Sequence, residues 1–418
     1  MNTHTYFTHT LSNGLSVALL PVRSRAVYCG FAVRTGSRND PSDLPGLAHF
    51  VEHMLFKGTT KRRARHIISR MEAVGGDLNA YTSKDETFFY TSAPRPALVR
   101  SMELLNDLVR HATFPLHELV KERTVVEDEI NLYRDTPSDQ IFDDWDELLF
   151  RGTALEHPVL GNPHSLARMT PPDLLAYTRR YFTPDRLLFF CMGQVSEERF
   201  LELAERYLSE PFADREPELS REGKATLPTS VSPFCIQKKT PTYQAHTLIG
   251  GLCYDIHNPH LTEANLLCNM LAGNGMNTRL NILLREQRGW VYDVDASQSA
   301  LSDTGVWQIY FGSDPVHAAP ALEVTLEELR RIRRVPLKPR ELHAWIKMIK
   351  GQITMSAEQS EGLFLNFGRQ LLHKGRYETI PQIYDSLERV TPESILEVAD
   401  RLFAPENIHT LVYSGRKS

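Results

Sequence analysis

His49-Phe50-Val51-Glu52-His53 sets two imidazoles and a carboxylate within one short run. On a helix, positions i, i+3 and i+4 share a face, so His49, Glu52 and His53 project together. That donor set suits zinc. The flanks favour a helix: Asp43 can cap its start, Pro45 suits the first turn and Gly58 can end it. Leu47, Phe50, Val51, Met54 and Leu55 form an apolar stripe, and the histidines are expected to face away from it. Catalytic zinc usually takes three protein ligands and leaves one position for water. The third ligand is sought in Glu122-Arg123-Thr124-Val125-Val126-Glu127-Asp128-Glu129, on a helix predicted from Leu116 to Arg134. Glu122 and Glu129 lie two turns apart and share a face; Glu127 and Asp128 are rivals that point elsewhere. His66, His111, His117 and His157 have no partner at comparable spacing and read as ordinary residues.

The elements that must hold these groups occur twice. Ser165-Leu166-Ala167-Arg168-Met169-Thr170-Pro171 is answered 221 residues later by Ser386-Leu387-Glu388-Arg389-Val390-Thr391-Pro392. Phe114-Pro115-Leu116 is answered by Val335-Pro336-Leu337 at the same offset, and Gly152 by Gly375 at 223. Such an offset argues for two domains of one fold. They are expected at 1–212 and 234–418, joined by a linker at 213–233 where Pro217, Pro228 and Pro233 sit among charged and small polar residues. Within the first half, strands are expected at 15–21 and 27–34, with a hairpin near 76–92. Phe88-Phe89-Tyr90 and Leu187-Leu188-Phe189-Phe190 are further strand candidates. Interspersed with long helices, they indicate an α+β class: two tandem homologous domains, each a sheet packed on helices.

The repeat supplies an internal control. Aligning Met54-Leu55 with Met270-Leu271 puts Asn265 opposite His49, Cys268 opposite Glu52 and Asn269 opposite His53. Trp345 and Gln352 fall opposite Glu122 and Glu129. The second copy keeps the apolar helix residues and none of the metal chemistry, which favours a specialised role for the first.

Composition narrows the function classes. With 418 residues, 41% of them hydrophobic, the chain can build two cores. A net charge of −5 gives no nucleic-acid footprint. No stretch approaches the roughly 18 apolar residues of a membrane helix. The opening Met1-Asn2-Thr3-His4-Thr5-Tyr6 lacks the pattern of a signal peptide. Cys29, Cys191, Cys235, Cys253 and Cys268 are odd in number, scattered and free of any C-x-x-C pair. They read as reduced thiols of a cytoplasmic protein, not as a disulfide framework or a Cys-based zinc site. Gly273 and Gly275 lack the lysine of a phosphate loop and read as a helix-ending turn. The Arg330-Arg331-Ile332-Arg333-Arg334 run reads as a helix end.

H-x-x-E-H is the inverzincin order of the zinc-protease motif. Here Glu129 follows His53 after 76 residues, and Gly76-Asp77-Leu78-Asn79-Ala80-Tyr81-Thr82 matches a G-x-x-N-A-x-T strand. Gly275-Met276-Asn277-Thr278-Arg279-Leu280 and Leu284-Arg285-Glu286-Gln287-Arg288-Gly289-Trp290-Val291-Tyr292 match second-half signatures. In these motifs the chain resembles the family of pitrilysin, insulin-degrading enzyme and mitochondrial processing peptidase. The resemblance implies a zinc-dependent endopeptidase acting on peptides or unfolded polypeptide segments inside a clam-shell chamber, of which one such chain forms half. It implies one zinc ion per chain held by His49, His53 and Glu129, with Glu122 as a supporting carboxylate and Glu52 as general base. Asn79 and Ala80 would lie on an edge strand that pairs with substrate backbone. Arg285 and Tyr292, an R-x6-Y pair, would grip substrate from the second half. A homodimer is expected, with a heterodimer of related subunits as the alternative. The competing reading is a non-catalytic or partner-dependent subunit of a processing peptidase or larger complex.

Overall fold

The computed structural model describes residues 6–212, 227 and 230–415. Most of the expected linker, residues 213–226 and 228–229, lies outside the described residues. Eleven strands are described: β1 Phe7–Thr10, β2 Ser16–Pro21, β3 Ala26–Val33, β4 Asp77–Thr82, β5 Thr87–Pro94, β6 Leu187–Gly193, β7 Cys235–Lys239, β8 Ala245–Cys253, β9 Val291–Ala300, β10 Gly305–Ser313 and β11 His409–Ser414. The first-half α-helices are α1 Leu47–Leu55, α2 Ala64–Glu72, α3 Leu98–His111, α4 Leu116–Arg134, α5 Pro137–Leu149, α6 Pro163–Arg168, α7 Pro171–Tyr181 and α8 Glu197–Leu208. Those of the second half are α9 Leu261–Ala272, α10 Ala318–Arg334, α11 Pro339–Ala357, α12 Ser360–Lys374, α13 Ile380–Glu388 and α14 Pro392–Leu402. The helix expected over 116–134 and the hairpin near 76–92 are observed as α4 and as β4 with β5.

The two sheets repeat one topology. The first runs β1-β2-β6-β3-β5-β4 and the second β7-β11-β8-β10-β9, so that without β1 the two orders correspond strand for strand. In each, the strand formed last in sequence inserts beside an early one, parallel on one side (β2 with β6, β7 with β11) and antiparallel on the other. The described residues fall into two compact units. Unit 1 takes those within Met1–Asn131, Gly152–Ala225 and Ser356–Thr379; unit 2 takes those within Leu132–Arg151, Thr226–Met355 and Ile380–Ser418. This division differs from the contiguous one expected at 1–212 and 234–418 in two segments, which carry α5 and α12.

The reason lies in the strands. β6 is buried at every residue, and a run apolar on both faces needs cover on both. Leu187, Phe189 and Cys191 face a core with Phe50 of α1, Leu105 of α3 and Leu203 of α8. Leu188, Phe190 and Met192 face the opposite way, against Phe364, Phe367 and Leu371 of α12. Phe190 stacks on Phe364 at 4.3 Å, and a Cβ on Gly368 would come within 2.5 Å of the Phe190 ring, so α12 needs glycine there to seat. Unit 2 solves the same problem with the corresponding helix of the first half. Trp145 of α5 is fully buried, 5.4 Å from the Phe234 ring, and the Tyr413 hydroxyl donates to Asp144 at 2.5 Å. The opposite face of that sheet buries Trp307 and Ile309 with Leu329 of α10 and Val398 of α14.

Polar contacts lock α12 to the first sheet. Buried Glu86, just ahead of β5, accepts from Arg369 Nε at 2.6 Å and from Tyr81 at 3.1 Å, and lies 2.6 Å from His373 Nε2. Burial pushes its pKa up, but His373 and Arg369 outweigh that and hold the carboxyl below its ordinary value of 4.5. A depressed carboxyl pKa stabilises the fold above the unfolded-state value, and that contribution is lost as pH falls through the folded-state one. Glu86→Ala should therefore cost about 3–5 kcal/mol in denaturant unfolding at pH 7. The gap from the parent should narrow as the pH is taken below 4.5.

Candidate metal centre

The helix carrying both histidines begins at a tight crossing. Gly46, its N-cap, has φ 91°, and a Cβ there would meet the Leu160 carbonyl oxygen at 2.6 Å. The cap comes from Asp40, whose carboxylate accepts from the N–H of Gly46 at 2.7 Å and of Ala48 at 2.8 Å. This corrects the expectation that Asp43 would cap: Asp43 is paired on the surface with Arg168 at 3.1 Å. Gly46 lets the chain fold back so that the earlier acid reaches the helix end. The helix ends at Leu55 with Phe56 as cap, ahead of the expected Gly58. Its histidine face is no solvent face either, since His49 and Glu52 are only 7% and 8% exposed. What covers the polar face is chemistry: α4 supplies carboxylates and β4 a hydroxyl.

His49, His53 and Glu129 form the one group among the described residues with metal-ligand composition, their donor atoms all within 4.8 Å of one another. Glu129 Oε2 is 3.9 Å from His49 Nε2 and 3.5 Å from His53 Nε2. Two ligands on one tetrahedral zinc lie about 3.3 Å apart, so these atoms are close to that spacing. Glu122 stands behind His53, with Oε1 at 3.0 Å from Nδ1, and Lys57 Nζ sits 2.5 Å from its Oε2. Glu127 and Asp128, the rival carboxylates, are exposed and lie outside this group. Glu52 is outside the donor set, its Oε2 accepting from the Thr82 hydroxyl at 2.5 Å.

The electrostatics fit a divalent cation. Burial, then the charge of His53, lowers the pKa of His49 to about 4, which keeps its ring neutral, and its Nδ1 is buried without a hydrogen-bond partner. Burial lowers that of His53 too, but Glu122 and Glu129 outweigh it and raise the value to about 9. Glu129 thus favours a positive charge at the point where the two Nε2 atoms converge, and a divalent ion there would supply it with the imidazoles neutral. Burial raises Glu122 as well, while His53 and Lys57 hold its carboxyl below the usual range. Glu52 is pushed up to about 7 by burial, with Thr82 and His53 pulling it back. A carboxyl poised near neutrality beside a metal-ligand set can take and return a proton.

The second copy shows what the same scaffold does without a metal. Asn269 and Gln352, opposite His53 and Glu129, hydrogen-bond directly at 3.0 Å, and Cys268, opposite Glu52, donates to the Ser297 carbonyl at 3.5 Å. Neutral amides pair directly where an imidazole and a carboxylate would call for a cation, although Asn269 Oδ1 stays buried without a partner.

Comparison with known proteins identifies the family. Residues 17–163 match the family model described as Insulinase (Peptidase family M16), and residues 168–348 match the Peptidase M16 inactive domain. A Bacillus subtilis protein named uncharacterized zinc protease YmxG is 30% identical over 97% of this chain and 97% of that protein. The chain belongs to peptidase family M16. Bovine mitochondrial-processing peptidase subunit beta is 27% identical over 94% of this chain and 80% of that protein. The crystal structure of a Helicobacter pylori protease shares the fold with a TM-score of 0.90 at 18% identity, covering 98% of this chain and 99% of that one. The M16 region described as inactive contains Asn265, Cys268 and Asn269 in place of the HxxEH residues.

The remaining residues expected to act are placed as follows. Asn79 and Ala80 lie on β4, which ends its sheet and pairs with β5, Asn79 opposite Tyr90 and Ala80 opposite Phe89. Arg285 lies in a π-helical turn, Asn281–Glu286, and Tyr292 in β9; they belong to unit 2. The Arg285 guanidinium carbon is 5.8 Å from the Tyr292 ring, Tyr292 is 83% exposed, and Arg285 also stands 3.8 Å from Glu286. Sequence reasoning did not anticipate Asp40, Lys57 or the contact from Thr82. Thr82 closes the G-x-x-N-A-x-T motif and could have been found there, whereas no pattern links Asp40 or Lys57 to its partner. Asp40→Ala should cost about 1–2 kcal/mol of stability, the scale of a lost N-cap. Asp43→Ala should stay within about 0.5 kcal/mol, as for an exposed ion pair; parallel denaturant melts check both.

Proposed function

We propose that this M16 chain is a zinc-dependent endopeptidase, with His49, His53 and Glu129 as ligands and Glu52 as general base. The observation that carries this reading is the convergence of the three donor atoms within 4.8 Å while Glu52, buried beside them, hydrogen-bonds Thr82 outside the set. When bound, zinc supplies Lewis acidity to the scissile carbonyl and brings water toward a pKa of about 7. Glu52 takes the proton of the attacking water and returns it to the leaving amine nitrogen, a role open to a carboxyl whose pKa lies at about 7. Glu122 orients His53 and serves the site through it. Asn79 and Ala80 offer substrate an open strand edge, so an extended peptide can add to the sheet beside β5's partner. Arg285 and Tyr292 are assigned to substrate binding on the strength of their mutual contact and the exposure of the tyrosine. The substrates are peptides or unfolded segments, the form in which a chain can present an extended backbone. One chain carries both the metal motif and the R-x6-Y pair, which favours a homodimer; the named subunit among its relatives keeps a heterodimer as the competing assembly.

Glu52→Gln should retain stoichiometric zinc by metal analysis while kcat/KM on a mixed peptide library drops by about 10²–10⁴ or more. Undiminished cleavage by that variant removes Glu52 from the base role. A chelator should abolish the parent's cuts, mapped by mass spectrometry. Size-exclusion with light scattering should find the purified parent as an active dimer; a monomer without activity that gains it from a related subunit would instead establish the partner-dependent reading.

A further inference from the structure

We propose that Lys57 is a positioning residue for the metal, acting through Glu122 on His53. The inference rests on the zinc reading above and adds a residue that no motif singles out. Lys57 follows the C-terminal end of α1, its N–H donating to the Met54 carbonyl at 3.1 Å. Its ammonium takes Glu122 Oε2 at 2.5 Å, and the other oxygen, Oε1, faces His53 Nδ1 at 3.0 Å. Each carboxylate oxygen therefore has one partner, and the plane of the group is fixed from both sides. A carboxylate whose side chain is 7% exposed needs a cation beside it to remain charged and unrotated. Lys57 supplies that cation independently of His53. Glu122 then accepts the Nδ1–H of the imidazole, which leaves Nε2, 3.5 Å from Glu129, as the lone-pair donor.

In the second copy the lysine and the metal set are absent together. The alignment that sets Met54 opposite Met270 sets Lys57 opposite Gly273, in the copy that has Trp345 opposite Glu122. The end of the helix differs as well: Phe56 after α1 stays helical, whereas Gly273 after α9 is extended. There Asn269 donates to Gln352 at 3.0 Å, and Gln352 donates in turn to the Asn274 carbonyl at 2.9 Å. At Gly273 a Cβ would meet Asn269 Nδ2 at 2.6 Å, so the amide that replaces His53 occupies the space a side chain at this position would need.

The test is zinc affinity by chelator competition on the full chain, for the parent, Lys57→Met, Lys57→Arg, Glu122→Gln and the double variant Lys57→Met with Glu122→Gln. Lys57→Met should weaken zinc binding about 10–100-fold, the range for a lost outer partner of a ligand, with Lys57→Arg recovering most of it. On the Glu122→Gln background the same change should cost less than about twofold, because its path is already cut. Cobalt in place of zinc should show a shifted visible spectrum for Lys57→Met and a parent-like one for Lys57→Arg. Lys57→Gln replaces Lys57→Met if the latter does not fold by circular dichroism. Affinity unchanged in Lys57→Met, or an equal loss on the Glu122→Gln background, overturns the proposal while the zinc reading stands. A parent that binds no zinc overturns both.

Discussion

Everything in the first unit's chemistry depends on one juxtaposition: the polar face of a nine-residue helix buried against the carboxylate face of a longer one. His53 touches Glu122 and Glu129 across 69 and 76 positions of chain, and those contacts align both imidazole Nε2 atoms on one point. Neither helix could bury these groups alone. A face holding His49 and Glu52 is costly to remove from water unless partners meet it, and the partners come from α4, β4 and the turn after α1. The arrangement gathers two imidazole Nε2 atoms and one carboxylate oxygen at a single point, which is why the group reads as a metal centre and not as a satisfied polar core.

The second half serves as the experiment's own control. It preserves strand order, helix order and the buried faces, but at the aligned positions it substitutes amides and a thiol. Asn269 then donates to Gln352, which donates onward to the Asn274 carbonyl. One scaffold thus accepts either solution to a buried polar face. The choice between a neutral hydrogen bond and a charged donor set is made by a handful of side chains, which separates fold from function within a single chain.

Both sheets impose a second constraint. Strands apolar on both faces must be covered twice, and in each unit the second cover is a helix from the other half of the sequence: α12 over Phe190 and α5 over the sheet that holds His409. The exchange is reciprocal, with α5 and α12 starting 223 residues apart like their flanking glycines, Gly152 and Gly375. Two halves built this way cannot be cut apart at a linker without uncovering one face of each sheet.

Local pattern determined a good deal. The 3.6-residue period and the H-x-x-E-H spacing set out α1 and its face, the two-turn interval on α4 limited the third ligand to Glu122 or Glu129, and the repeat announced two like domains. These are properties of neighbouring residues, and neighbours obey helix geometry wherever the helix is placed. Family resemblance already implied Glu129 as ligand and Glu122 as its support; what the tertiary structure adds is the crossing of α1 that sets Glu129 3.5 Å from His53 Nε2 and Glu122 3.0 Å from Nδ1. It also decided that Asp40 and not Asp43 caps the histidine helix, because a glycine at φ 91° turns the chain back on itself. The exchange of α5 and α12 was equally invisible: an apolar face states that it must be buried, but hydrophobic burial is non-directional and does not name the partner.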